Sequence, residues 1–112
     1  MSRDDRQRLD DIIDACDVIA RHLARGAKRW TRLRCRAHAL GEIGEAAKSI
    51  DGNVLASEPG VPWGEVARMR DLLTHRYFDT LQSIVEHTAR HDLAELRSAV
   101  SRMIRRLEAD ER

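Results

Sequence analysis

Leu9-Asp10-Asp11-Ile12-Ile13-Asp14-Ala15-Cys16-Asp17-Val18-Ile19-Ala20-Arg21-His22-Leu23 decides the fold class. Leu9, Ile12, Ile13, Cys16, Ile19 and Leu23 recur at steps of three and four, while Asp10, Asp11, Asp14, Asp17 and Arg21 take the opposite side. Such a stripe repeats with the turn of an α-helix, not with the two-residue alternation of a strand. The spacing predicts a first helix from about Arg3 to Arg25, acid-rich at its start and basic at its end as the helix dipole favours, with Gly26 as its stop.

Outward from it the same grammar continues. Trp30, Leu33, Ala37, Leu40, Gly44, Ala47 and Ile50 form a second stripe that ends at the turn signal Asp51-Gly52-Asn53. Gly41, Gly44, Ala46 and Ala47 are small enough for another helix to approach closely there. Between Gly52 and Pro62 two prolines, glycines, Asn and Ser break regular structure, which makes this stretch a connector. Pro62 sits just before or in the first turn of a third helix, where a missing amide donor does no harm, and Trp63, Val66, Met69 and Leu73 mark its buried face. Leu81, Ile84 and Val85 carry a fourth helix. Leu93, Leu96, Val100, Met103, Ile104 and Leu107 carry a fifth, opened by Asp92 as N-cap with Glu95 in capping-box position. Ala109 to Arg112 are expected to fray.

The totals agree with an all-α chain. In 112 residues there are two prolines and six glycines, hydrophobic residues are 42% and charged residues 35%. This is too apolar for a disordered chain, and the length suits a single domain over 1–112. Twenty basic residues against nineteen acidic ones leave a net charge of +1, so no global field draws the protein to nucleic acid or an anionic membrane. The charged start and the absence of an apolar run near the roughly 20 residues of a membrane span predict a cytoplasmic protein with no membrane partner, in which Cys16 and Cys35 are reduced thiols. His22, His38, His87 and His91 make no zinc pattern, and neither a CxxC pair nor a phosphate-binding glycine loop is present, so no metal and no cofactor is expected. Arg25, Lys28, Arg29, Arg32, Arg34 and Arg36, with Trp30 among them, are either solvated arginines at a helix boundary or a local track for an RNA backbone.

Chemistry concentrates in Val66-Ala67-Arg68-Met69-Arg70-Asp71-Leu72-Leu73-Thr74-His75-Arg76-Tyr77-Phe78, which gathers a guanidinium, an imidazole and a phenol. At about 100° per residue Arg70 and Tyr77 share a helix face while His75 points about 140° from Arg70. The three converge only if the helix ends or turns near Thr74, or if a partner chain supplies the missing groups. Taken singly they also read as a solvated arginine, a histidine at a helix C-terminus and a core tyrosine with its hydroxyl at the surface.

The spacing Arg70-x4-His75-x-Tyr77 resembles the signature of the HepT branch of the HEPN superfamily, the toxin half of HepT/MntA-type toxin–antitoxin pairs. Gly41-Glu42-Ile43-Gly44-Glu45-Ala46-Ala47-Lys48 is similar to that family's second-helix segment. Val61-Pro62-Trp63-Gly64-Glu65-Val66-Ala67-Arg68-Met69-Arg70-Asp71 is similar to its approach to the motif, and Asp92-Leu93-Ala94-Glu95-Leu96 to its ending. The likeness runs from about Leu33 onward; over the first helix it is one of pattern, and Phe78-Asp79-Thr80 departs from the hydrophobic–Asp pair expected after the aromatic residues.

The resemblance implies a HEPN-type antiparallel bundle of four to five helices, a homodimer with the two motifs facing across a cleft, and metal-independent endonucleolytic cleavage of RNA, tRNA or mRNA. It implies Arg70 and His75 as catalytic residues and Asp71 as their support. Lys28, Arg29, Arg32 and Arg76 are then candidate RNA contacts. Tyr77 matches the tyrosine to which a cognate MNT-type nucleotidyltransferase antitoxin attaches AMP. The alternative is a non-catalytic HEPN module that docks a nucleotidyltransferase or a nucleotide.

Overall fold

The computed structural model describes residues 3–24, 29–69, 71 and 92–110. Among them the chain is helical and has no strand: α1 (Arg3–Ala24), α2 (Arg29–Ser49), α3 (Gly52–Leu55), α4 (Trp63–Ala67) and α5 (Leu93–Asp110). The expected fourth helix around Leu81, Ile84 and Val85 lies outside the described residues, as does the expected stop at Gly26.

The α1 stripe is buried as its period demands: Leu9, Ile12 and Ile19 are fully covered and Ala15 and Cys16 nearly so. Ile13 lies at its margin, half-buried against the core. From α2 come Ala39, Leu40, Ile43, Ala46 and Ala47, with Ile50 just past its end, and from α5 Leu93, Leu96, Ala99, Val100, Met103 and Leu107. Gly44 is buried together with Ala46 and Ala47, so the small residues of α2 face the interior.

Polar contacts fix the directions of these helices. The Arg6 guanidinium donates to Glu108 at 2.9 Å, and Arg97 donates to Asp17 at 2.8 Å. Moving up α1 from Arg6 to Asp17 therefore moves down α5 from Glu108 to Arg97, about three helical turns in each case, and the two helices are antiparallel. Asp51, just past the end of α2, donates its backbone N–H to the Asp5 carboxylate at 3.3 Å, which sets the end of α2 beside the start of α1. Asp5 occupies the stripe one turn before Leu9 and is buried, and its carboxylate gives a polar group at the helix end an acceptor away from water. Thus α1 packs between α2 and α5, antiparallel to both.

The connector is more regular than its composition implies. Asp51 caps α3, accepting from the Asn53 N–H at 2.9 Å, and Ala56 N–H closes the turn on the Gly52 carbonyl at 3.0 Å. A side-chain acceptor at the N-cap and the apolar pair Val54 and Leu55, packed against the core, draw one helical turn out of a loop-like sequence. Pro62 is the N-cap of α4, its carbonyl accepting from Glu65 N–H at 3.0 Å and Val66 N–H at 3.1 Å. The expected third helix is interrupted: α4 ends at Ala67, Arg68 is its C-cap, and helical backbone resumes at Met69 and Asp71. At the other end α5 begins directly after Asp92, whose carbonyl accepts from Leu96 N–H at 3.2 Å.

Candidate functional site

The approach to the motif is built around Glu58. This side chain lies in the Pro/Gly-rich connector yet is buried. Arg102 donates to its Oε1 at 2.7 Å and to its Oε2 at 3.4 Å, and Arg106 donates to Oε2. Arg106 also reaches the Ser57 hydroxyl at 3.3 Å. Hydrogen bonds from Arg102 and then Arg106 hold the carboxyl well below the usual range, at about 2, against the opposing effect of burial. The Glu58 carbonyl accepts from the indole N–H of Trp63 at 3.1 Å and from Val61 N–H at 3.2 Å. One residue thus ties the connector to α5 by its side chain and to the first residue of α4 by its backbone.

Beside it runs a groove of about 390 Å³ between α4 and α5. Val61, Pro62, Val66 and Met69 form one wall and Leu93, Leu96 and Ala99 the other, with Glu65, Asp92 and Glu95 at the rim. Met69 stands immediately before Arg70 in sequence, so the groove lies next to the point where the motif begins. Asp71, read as the supporting carboxylate, has helical backbone and an exposed side chain. Arg70, His75, Arg76, Tyr77 and Lys28 lie outside the described residues. Arg29 and Arg32 fall in the first turns of α2, with side chains outside the described set.

Other titratable groups have simpler settings. His38 is exposed and pairs with Glu42 one turn on, at 2.7 Å. Burial, then the Asp17 charge, pushes the Cys16 thiol up to about 11, which leaves it protonated and inert near neutrality. Arg97 holds Asp17 below its ordinary value through their hydrogen bond. Among the described residues no group of three or more His, Cys, Asp or Glu is placed to hold a metal ion, and no helix is long and apolar enough to cross a membrane.

Sequence reasoning missed Glu58. The available signal was a single acidic residue in the connector together with Arg102 and Arg106 spaced four apart beside the apolar stripe of α5. Nothing local in the sequence joins the two.

The comparisons extend the likeness through the first helix. The model of the family described as Ribonuclease HepT-like matches residues 8–103. A protein of Thermococcus cleftensis named "Probable ribonuclease HepT" is 29% identical over 116 residues, covering 92% of this chain and 98% of its own. A protein of Methanocaldococcus jannaschii named as a candidate RNase is 34% identical over 102 residues, covering 89% and 84%. Another so named, from Caldanaerobacter subterraneus, is 33% identical over 107 residues, covering 90% and 95%. No solved structure matches the chain at a significant level. With a match through most of its length and an all-helical fold, the chain belongs to the HepT-like ribonuclease family.

Proposed function

We propose that this protein is the toxin of a toxin–antitoxin pair, an endoribonuclease that cuts RNA without a metal at a cleft between two copies of the chain. The observation that carries the reading is the set Arg70-x4-His75-x-Tyr77 inside a family match spanning residues 8–103. The chemistry follows from the residue types. His75, with an ordinary imidazole pKa near 6.5, takes the proton of a ribose 2′-hydroxyl. The 2′ oxygen forms a bond to phosphorus as the bond from phosphorus to the 5′ oxygen breaks. The imidazolium returns its proton to the departing 5′ oxygen, and a 2′,3′-cyclic phosphate is left. Arg70, always charged and able to grip two phosphate oxygens at once, stabilises the charge that builds on them.

Were the segment one continuous helix, Arg70 and His75 would point away from each other. A break in that helix, or facing segments in a homodimer, brings the two groups together. Asp71 orients Arg70 or the opposing imidazole. AMP placed on Tyr77 by a nucleotidyltransferase antitoxin adds bulk and negative charge beside the cleft and repels the RNA backbone.

The test is cleavage of a pooled tRNA and mRNA preparation in EDTA by wild type, Arg70→Ala and His75→Ala, with the mass of Tyr77 checked beforehand. Wild type is expected to cut, His75→Ala to lose about 10²–10⁴-fold in kcat, and Arg70→Ala about 10²–10³-fold. If unmodified wild type leaves all RNA intact, the non-catalytic docking module takes its place.

A further inference from the structure

We infer that Glu58 is a positioning residue for RNA cleavage: clamped by Arg102 and Arg106 of α5, it sets the start of α4 and through it the segment that enters the motif at Arg70. The inference rests on the cleavage reading above and adds to it a residue outside the motif.

The argument begins with the length of α4. Five residues make barely more than one turn, too few to hold a helix or its direction without outside contacts. Val66 is its buried side chain, with Trp63 and Met69 partly buried against the core. Pro62 brings no side-chain cap to the N-terminus. The polar contacts that hold its first residue instead run to the connector: the Trp63 indole N–H to the Glu58 carbonyl at 3.1 Å, and the Trp63 backbone N–H to the Val61 carbonyl at 2.9 Å. Val61 N–H in turn donates to the same Glu58 carbonyl at 3.2 Å. The connector would carry little stiffness of its own through Pro59-Gly60, but the Glu58 side chain is held by two arginines from a long helix packed on α1. Stiffness therefore passes from α5 through one carboxylate to the first residue of α4. Arg70 follows Ala67 by three residues in sequence, and a guanidinium that must meet a scissile phosphate is sensitive to displacement of its support by an ångström or less.

An ion pair that only stabilised the fold would change the unfolding midpoint and leave turnover by the folded protein untouched. Positioning predicts something else, and steady-state cleavage in EDTA separates the two. The variants are Glu58→Ala, Glu58→Gln, Arg102→Ala/Arg106→Ala and the triple, assayed at least 10 °C below the unfolding midpoint of each. Glu58→Ala is expected to lower kcat about 10–100-fold with KM within twofold of wild type. Glu58→Gln, whose amide oxygen still accepts from an arginine, is expected to recover part of the loss. The arginine pair should reproduce the Glu58→Ala loss and the triple should add nothing to it. Wild-type kcat in folded Glu58→Ala, a change in KM alone, or additive losses in the triple overturn the inference.

Amide hydrogen exchange over residues 63–69 gives a readout that needs no activity. At least tenfold faster exchange in Glu58→Ala, with α1 and α2 unchanged, is expected; equal exchange overturns the positioning role. Should wild type cut no RNA, the cleavage reading fails by itself and exchange decides what Glu58 does for α4. Should Glu58→Ala fail to fold, Glu58→Gln carries both arms.

Discussion

Glu58 and Cys16 are shifted in opposite directions although burial pushes both up. Glu58 is held at about 2 by its two arginines, so its ionised form is favoured in the folded chain over the unfolded one. The stabilisation it brings is complete above the ordinary carboxyl value of 4.5 and fades as the pH falls from there towards 2. Urea midpoints measured between pH 6 and pH 2.5 should drop more steeply for wild type than for Glu58→Gln, which has no proton to take up in that window. At Cys16 burial and the Asp17 charge outweigh the lowering by Arg97, and the thiol rises to about 11. In a Cys35→Ser background, labelling of Cys16 by a thiol reagent at pH 8 should therefore follow the rate of opening of the fold, and added urea should speed it long before the global midpoint. Labelling as fast as that of free cysteine would contradict the burial. The stripe that buries Cys16 was legible in the sequence because periodicity is local. The clamp on Glu58 was not, since its partners lie 44 and 48 residues away and no short-range pattern encodes that meeting.

At the scale of the elements, boundaries were read best where a single residue dictates the backbone. Pro62 before α4 and Asp92 before α5 fall where proline chemistry and N-capping place them. The connector was misjudged as irregular because Gly52 and Asn53 signal a turn, whereas Asp51 supplies a cap acceptor and Val54 and Leu55 supply apolar cover. Asp51→Ala removes that acceptor and should cost about 1 kcal/mol in denaturant unfolding, with Asp51→Asn costing less because its amide oxygen can still cap. The interruption at Arg68 was unreadable. Arg68 N–H is shared between the carbonyls of Gly64 and Val66, beside the buried Val66 and the half-buried Met69. Of the candidate site, the motif residues were visible through their spacing, while the meeting proposed for Arg70 and His75 rests on a helix stop or a second chain, neither of which a local spacing encodes.

For the whole molecule, the ion pairs that reveal the antiparallel arrangement contribute little to its stability. Arg97–Asp17 and Arg6–Glu108 are partly exposed, with side-chain exposures of 46%/39% and 32%/48%. Asp17→Ala and Glu108→Ala should each cost under about 1 kcal/mol, and the cost should shrink further in 1 M salt. A loss of several kcal/mol in either would mean that the apolar contact between α1 and α5 is less complete than the burial of Leu9, Ile12, Val100 and Met103 indicates. The packing of α1 between α2 and α5 also has a consequence in time. During synthesis α1 and α2 can pair as soon as both exist, but the contacts between α1 and α5 wait until α5 is made. About sixty residues separate Ser49 from Asp110, which at 5–20 residues per second is a wait of roughly 3–12 s. Over that interval the part of α1 that meets α5 lacks that cover on the ribosome, and the arrival of α5 closes it.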